Sequence, residues 1–153
     1  MLRFAVALAA LCMFIAPATA NAGTCLPHLR AILLAGGFSG SLDCHHDQLS
    51  AKRIGTLTTG QHRFTIYDYR YKLAPACPEC AVHGGQRVIF MRDGRYLGQI
   101  KPDGVWLSIR KNRLILTPDP TFDPDDQPTV LRFSPNGPPS PIRAAGEWHE
   151  IFR

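Results

Sequence analysis

From residue 52 onward, short runs of β-forming residues alternate with strong turn sequences, and this alternation constrains the fold more than any other feature. Asp93-Gly94 separates two such runs, Arg87–Arg92 and Arg95–Lys101. An Asp-Gly pair between apolar runs is a strong hairpin signal, because both turn residues need a positive φ. Residues 102–104 and 111–112 mark two further turns. The sequence therefore predicts a meander of antiparallel strands.

The same patterns predict one helix followed by about seven or eight strands. The helix is expected in residues 24–35, where Thr24 can cap the first turn and the apolar side chains fall on one side. The expected strands are 52–58, 62–73, 87–92, 95–101, 105–110, 113–117, 129–133 and 148–153. We expect a mainly β fold in which a small antiparallel meander forms a barrel or a sandwich, with one short N-terminal helix.

The longest run, residues 62–73, carries its apolar side chains first on one face and then on the other. Phe64 and Ile66 share one face, whereas the residues further along point to the opposite side: Tyr67, Tyr69, Tyr71 and Leu73. A flat strand with one buried face cannot make this change. The pattern therefore predicts a bulge or a bend near Ile66–Tyr67 that brings the strand to a new packing partner.

Aromatic and cationic side chains alternate within the same run, at Tyr67, Tyr69, Arg70 and Tyr71, and Lys72 follows. Aromatic faces between cations are typical of surfaces that bind a carbohydrate, a peptide or a nucleic acid, so the first four residues are a candidate ligand surface. Half-buried cross-strand packing of the tyrosines is the alternative, and it is the commoner role of such residues in a sheet.

Residues 1–22 have the pattern of a cleavable signal peptide. Arg3 gives a positive start, residues 4–16 are an unbroken apolar run, and residues 20–22 offer small side chains to a signal peptidase. The run is shorter than the roughly 20 residues that a membrane span needs. We therefore expect residues 23–153 to be exported as one β-rich domain, periplasmic or secreted, with no transmembrane span in the mature chain.

An exported domain meets envelope components and other proteins, and it has little access to nucleic acid. We therefore expect an envelope component or a partner protein as the ligand, and no nucleic acid. The chain has a net charge of +5, and 13 of its 17 basic residues are arginine. Arginine suits bidentate contacts with carboxylate or phosphate, so an anionic partner fits the composition. A dispersed charge of this size is also usual for a solvated surface.

Export determines how the cysteines are interpreted. Cys12 lies in the signal peptide, which leaves Cys25, Cys44, Cys77 and Cys80 in the mature chain. An even number of cysteines in an oxidising compartment predicts two disulfides. Three pairings are possible, and we favour the most local one, Cys25–Cys44 with Cys77–Cys80.

The segment Cys77-Pro78-Glu79-Cys80, with His83 three residues further on, permits a second interpretation. A Cys-x-x-Cys turn can bring two thiolates to one zinc or copper ion, with His83 as a third ligand, or can carry out thiol–disulfide redox chemistry. The residues after Cys80 do not favour the helix that a redox centre needs. We expect no bound cofactor, and a metal-binding or thiol-redox protein remains the alternative.

The chain contains none of the sequence motifs of common hydrolytic or phosphate-cradling sites. An acidic loop lacks the glycine and glutamate spacing of a calcium-binding loop and is expected to be solvated: Asp119, Asp123, Asp125 and Asp126. The sequence therefore predicts a small, exported, disulfide-bonded domain that acts by binding rather than by catalysis.

Overall fold

The computed structural model describes residues 27–40, 49–72, 77, 79–81, 84–121 and 125–153. These residues form one helix and nine strands: α1 (Pro27–Ala35), β1 (Leu49–Thr59), β2 (His62–Lys72), β3 (Gly84–Arg92), β4 (Arg95–Ile100), β5 (Val105–Arg110), β6 (Arg113–Pro118), β7 (Thr129–Leu131), β8 (Ile142–Ala144) and β9 (Glu147–His149). The strands pair in three antiparallel sheets, of order β1-β2-β3-β4, β5-β6-β7 and β8-β9. The predicted mainly β fold is confirmed, and the sheets do not close into a barrel.

The elements at the two ends of the chain differ most from the sequence prediction. The predicted leader, residues 1–22, lies outside the described residues, as does the expected helix cap Thr24. The sequence does not predict strand β8, because this strand has only three residues, which lie between a proline-rich loop and a turn. The predicted last strand is represented by β9 and by one bridge, in which the backbone N–H groups of Gln99 and Phe152 each donate to the other residue's carbonyl, at 2.9 and 3.0 Å.

The four-stranded sheet is buried on both faces, which explains the continuous apolar run in β3. Val88 and Phe90 point to one face, Ile89 and Met91 point to the other, and all four are buried. Burying one such side chain contributes about 1.5–3 kcal/mol. A strand covered on only one side would alternate apolar and polar residues instead.

The smaller core lies between this sheet and α1. Leu29 and Leu33 on the inner side of the helix pack against Ile89, Met91 and the tyrosines of β2. Phe38, just after the helix, contacts Tyr96 edge-to-face at 4.8 Å between ring centroids. The helix is only nine residues long, so this packing supplies the stability that it lacks in isolation. Within the described parts of the chain, no helix is long and apolar enough to cross a bilayer.

The larger core fills the space between the four-stranded sheet and the β5-β6-β7 sheet, and β8 closes one side of it. Its buried members come from eight strands and from the segment after β7: Leu57, Phe64, Ile66, Val88, Phe90, Ile100, Val105, Leu114, Leu116, Leu131, Phe133, Ile142 and Ala144. The two sheets therefore form a sandwich, and α1 adds a third layer on the outside of the first sheet.

Both edge strands of the four-stranded sheet are irregular in the same row. The register of β1 against β2 shifts at Ile54, opposite the step from Ile66 to Tyr67, and the register of β4 against β3 shifts at Leu97. The irregularity therefore lies where the sequence predicts it, but on the neighbouring strand, because β2 pairs with β3 without a break from Phe64 to Lys72. The apolar side chains of β2 do change packing partner at this point, from the larger core at Phe64 and Ile66 to the smaller core at the tyrosines, but through opposite faces of one continuous strand.

Gly98, beside the second irregularity, allows the C-terminal segment to approach β4 closely. Its φ is 153°, and a Cβ at this position would lie 2.5 Å from Cγ2 of Ile151 and 3.0 Å from the carbonyl oxygen of Phe152. A larger residue would clash with the segment that carries the Gln99–Phe152 bridge. The glycine is therefore needed for the C-terminus to add to the edge of the sheet.

Candidate functional site

The tyrosines of the predicted ligand surface and its arginine lie on opposite faces of β2. Tyr69 is 4% exposed, and the half-buried Tyr67 and Tyr71 pack with it in the core beneath α1. This placement agrees with the packing alternative for the tyrosines. Arg70 points to the other face, towards β5. Whether any of these four residues contacts a ligand stays a prediction.

The Cys77–Cys80 disulfide is formed, which confirms one half of the predicted cysteine pairing. The backbone N–H of Cys80 donates to the carbonyl of Cys77 at 3.0 Å, so the bridge closes a tight turn between β2 and β3. Sulfurs joined in this way are not thiolate ligands for zinc or copper. Cys25, Cys44 and His83 lie outside the described residues. The described residues contain no cluster of three His, Cys, Asp or Glu side chains suited to a metal ion.

Arg70 belongs to a hydrogen-bonded network that ties the two sheets of the sandwich together. Its guanidinium donates to Oδ2 of Asp68 at 3.0 Å and to the carbonyl of Val105 at 2.5 Å. Gln86, 3% exposed, donates to Oδ1 of Asp68 and to the same carbonyl, and it accepts from the N–H of Val105 at 3.1 Å. The side chains of Asp68, Arg70 and Gln86 and the backbone of Val105 therefore hold one another in place before any ligand binds. The same network holds the guanidinium of Arg70 at 4.7 Å from the ring centroid of Trp106.

Trp106 opens onto the side of the β5-β6-β7 sheet that faces away from the larger core, which we call the outer face. Directly paired residues share a face, so the register assigns Trp106 and Thr117 to one row and Ser108, Ile115 and Val130 to the next. Trp106 is 55% exposed and Val130 is 49% exposed. Apart from the Arg70 guanidinium on Trp106, neither hydrophobic cluster of the described residues includes these side chains, and the exposed parts of Trp106 and Val130 are accessible to a partner.

Three arginines complete the outer face at the end of the β5–β6 hairpin, and we call them the arginine row. Arg110 and Arg113 are paired directly across the hairpin. Arg132 follows Leu131, whose partner is Leu114, and therefore continues the row on the next strand. All three are exposed, and within the described residues no carboxylate forms an ion pair with any of them. Like charges opposed across strands are destabilising, so the row is not explained by the stability of the sheet.

The arginine row is part of a wider basic end, defined as the end with the β1–β2, β3–β4 and β5–β6 turns. Seven cationic side chains lie there: Arg63, Arg92, Arg95, Arg110, Lys111, Arg113 and Arg132. Asp93 in the β3–β4 turn is the single carboxylate that the described residues place among them. Hydrogen bonds from the backbone N–H of Arg63 (2.8 Å) and from His62 (2.7 Å) lower the pKa of Asp93, and this carboxylate is already engaged.

The opposite end of the sandwich carries most of the described carboxylates: Glu79, Asp103, Asp119, Asp125 and Asp126. Asp119 accepts hydrogen bonds from the N–H and the hydroxyl of Thr121, which lower its pKa, and the nearby guanidinium of Arg70 adds to the effect. Asp123, the remaining member of the acidic loop, lies outside the described residues. Lys72, Lys101 and Arg143 lie among or near these carboxylates, whereas the basic end has one carboxylate among seven cations, so an anion is attracted more strongly to the basic end.

The sequence patterns missed the arginine row because its members are far apart in the chain. Arg132 lies 19 residues after Arg113 in the sequence. Only the pairing of β6 with β7 brings it beside the turn of the β5–β6 hairpin. The alternation of Val105, Leu107 and Ile109 with Trp106 was the one available signal that this tryptophan points outward. No protein-family model, curated protein or solved structure matches this chain, so the site rests on its own geometry.

Proposed function

We propose that this chain is an exported, disulfide-bonded β-domain that binds an anionic component of the cell envelope at its arginine row. The single observation that carries the binding proposal is the cross-strand row of Arg110, Arg113 and Arg132, which has no carboxylate partner among the described residues. The apolar leader pattern of residues 1–22 and the Cys77–Cys80 disulfide support export to an oxidising compartment.

The chemistry of the row suits phosphate or carboxylate groups. A guanidinium presents several donors in one plane and can bind such groups through two parallel hydrogen bonds. Each arginine near an anionic surface contributes about 1 kcal/mol of attraction, so the three together contribute about 3 kcal/mol of salt-sensitive binding free energy. A bound anion would also relieve the repulsion between Arg110 and Arg113.

Titration of the purified protein with inorganic polyphosphate, followed by isothermal calorimetry, tests the binding proposal. We expect the logarithm of the binding constant to fall linearly with the logarithm of the salt concentration, because the arginines replace counterions of the polyanion. Dextran, an uncharged polymer, is the control and should not bind. Failure of polyphosphate to bind at low ionic strength would contradict the proposal.

Intact-mass analysis of the protein recovered from an exporting bacterial host tests the proposed export and the two disulfides. We expect a chain that begins near residue 23 and is lighter by four hydrogen atoms than its fully reduced form, as two disulfides require. A chain that keeps its leader and stays in the cytoplasm would contradict export. Two thiols open to alkylation without reductant would contradict the Cys25–Cys44 pairing, and four would favour the thiol or metal alternative.

A further inference from the structure

The outer face continues from the arginine row to Trp106 along the strands of one sheet. Trp106 and Arg110 are four residues apart on β5, which corresponds to about 13 Å in an antiparallel strand. Because the two residues are an even number of positions apart, both side chains lie on the same face and point away from the larger core. A linear ligand that lies along β5 can therefore contact a cationic group and an indole ring at the same time.

The indole ring of Trp106 is held in position before a ligand binds, so that a ligand can stack on it. The guanidinium of Arg70 covers the ring from one side at 4.7 Å, and the hydrogen bonds to Asp68 and Val105 hold that guanidinium in place. More than half of the tryptophan remains exposed, which leaves the rest of the ring open. An immobilised ring loses little conformational entropy when a ligand stacks on it.

The carboxylates of Asp68 and Asp119 near Trp106 disfavour a second anionic group at this point. Asp68 lies behind Arg70, and Asp119 is close enough to be affected by the charge of Arg70. The fitting ligand therefore has its anionic group at the arginine row and a neutral ring at Trp106. The partly exposed Ser108 lies between the two positions, and the partly exposed Thr117 lies beside Trp106.

We propose that the outer face binds an acidic oligosaccharide, with its carboxylate or phosphate at the arginine row and an uncharged sugar ring on Trp106. This inference rests on the proposed function and names its ligand class. The C–H groups of a pyranose ring carry partial positive charge and stack on the negative face of an indole, as cations do. A protein partner is disfavoured, because the residues with the largest effect in protein interfaces fill packed pockets, whereas Trp106 stands on an open sheet.

The test compares three probes by NMR titration: 3′-sialyllactose, which has one carboxylate and two neutral rings, lactose, which has no charge, and tripolyphosphate, which has no ring. We expect sialyllactose to bind more tightly than lactose. Trp106→Ala should weaken sialyllactose binding about tenfold and leave tripolyphosphate binding unchanged. Trp148→Ala is the matched control, since Trp148 is 68% exposed but lies on β9, away from the outer face. It should change neither affinity.

The outcomes separate this inference from the proposed function. If tripolyphosphate binds but Trp106→Ala leaves the sialyllactose affinity unchanged, the oligosaccharide inference is overturned and the anion site stands. If an acidic peptide of the same charge binds more tightly than sialyllactose and also depends on Trp106, the partner is a protein, which likewise overturns the inference. If neither tripolyphosphate nor polyphosphate binds, the proposed function itself fails.

Discussion

The hairpin tips of β3–β4 and β5–β6 lie on either side of the β1–β2 hairpin and share one backbone shape. In each, two residues with positive φ separate a directly paired set of arginines. The first tip docks through Asp93, whose carboxylate accepts hydrogen bonds from the N–H of Arg63 and from His62. The second docks through Asn112, whose amide donates to the carbonyl of Thr58 at 2.6 Å and accepts from its N–H at 2.9 Å.

The difference between the tips is one of charge rather than of fold. Asp93 compensates the arginines beside it, whereas Asn112 makes an equally short contact and adds no negative charge. Lys111, the other residue of the second turn, makes this tip more positive still. Since a carboxylate is compatible with a turn of this shape, the positive charge of the second tip is not a requirement of the hairpin. This contrast is the reason to assign binding to the β5–β6 tip.

The largest expected effect is on polyphosphate affinity when Arg110→Gln and Arg113→Gln are combined. At about 1 kcal/mol for each arginine, the affinity should fall roughly 30-fold in calorimetry at low salt. The matched control combines Arg92→Gln with Arg95→Gln, which removes the same charge from the compensated tip and should lower the affinity less than about threefold. Equal losses from the two pairs would remove the distinction between the tips.

Asn112→Ala tests whether the second tip is held by its amide. The change removes both hydrogen bonds to Thr58 and places a residue with a Cβ but no local polar group at a φ of 58°. We expect the free energy of unfolding to fall by about 2 kcal/mol in urea denaturation. Asn112→Gly tolerates the positive φ and should lose about half as much. No loss in either variant would show that the amide does not hold the tip.

Lys111→Asp gives the second tip the carboxylate that distinguishes the first. Asp tolerates positive φ, and the native value at this position is 48°, so the hairpin should persist. The local charge falls by two units at the turn, and at about 1 kcal/mol for each unit we expect polyphosphate binding to weaken roughly 30-fold, as for the arginine pair. Lys111→Gln, which removes one unit, should weaken binding about half as much in free energy. Unchanged binding in the Asp variant would mean that the charge of this tip does not attract the ligand.

The smallest effect is the acid dependence of the first tip. The pKa of Asp93 in the folded chain is lowered from 3.8, mainly by the N–H of Arg63 and then by His62. The stabilisation by this carboxylate is therefore fully present above about pH 4 and is lost as the pH falls through the lower folded value. In urea denaturation, Asp93→Asn should be slightly less stable than the natural protein near pH 7, and the difference should shrink as the pH falls below about 4. A difference that persisted in acid would assign the effect to something other than the charge.

Much of the fold could be predicted, because local turn chemistry and alternation determine it. Asp93-Gly94 and Lys111-Asn112 turn where the sequence predicts, and β3 to β6 follow within three residues at either end. The position of α1 could not be predicted from local patterns. Without it, the tyrosines of β2 resemble an exposed ladder, and the two-sided burial of that strand resembles a bend.

The candidate site could be predicted only in part, since it depends on which strands are neighbours. In the sequence, Arg70 is a candidate because it lies between tyrosines, whereas in the structure it stacks on Trp106 from the facing sheet. The arginine row needs the pairing of β5 with β6 and of β6 with β7, and no local pattern encodes the second pairing. The signal that remains in the sequence is the absence of acidic residues between 105 and 118, where three cations are found.

Backbone amide shifts of the ¹⁵N-labelled protein during titration with polyphosphate test the central claim most directly, because the two tips are then compared in one molecule. We expect the largest shifts at Arg110, Lys111, Arg113 and Arg132, and little change at Arg92 and Arg95. Shifts of similar size at both tips would show nonspecific attraction to the basic end. Shifts centred on the β3–β4 tip would contradict the assignment of binding to the outer face.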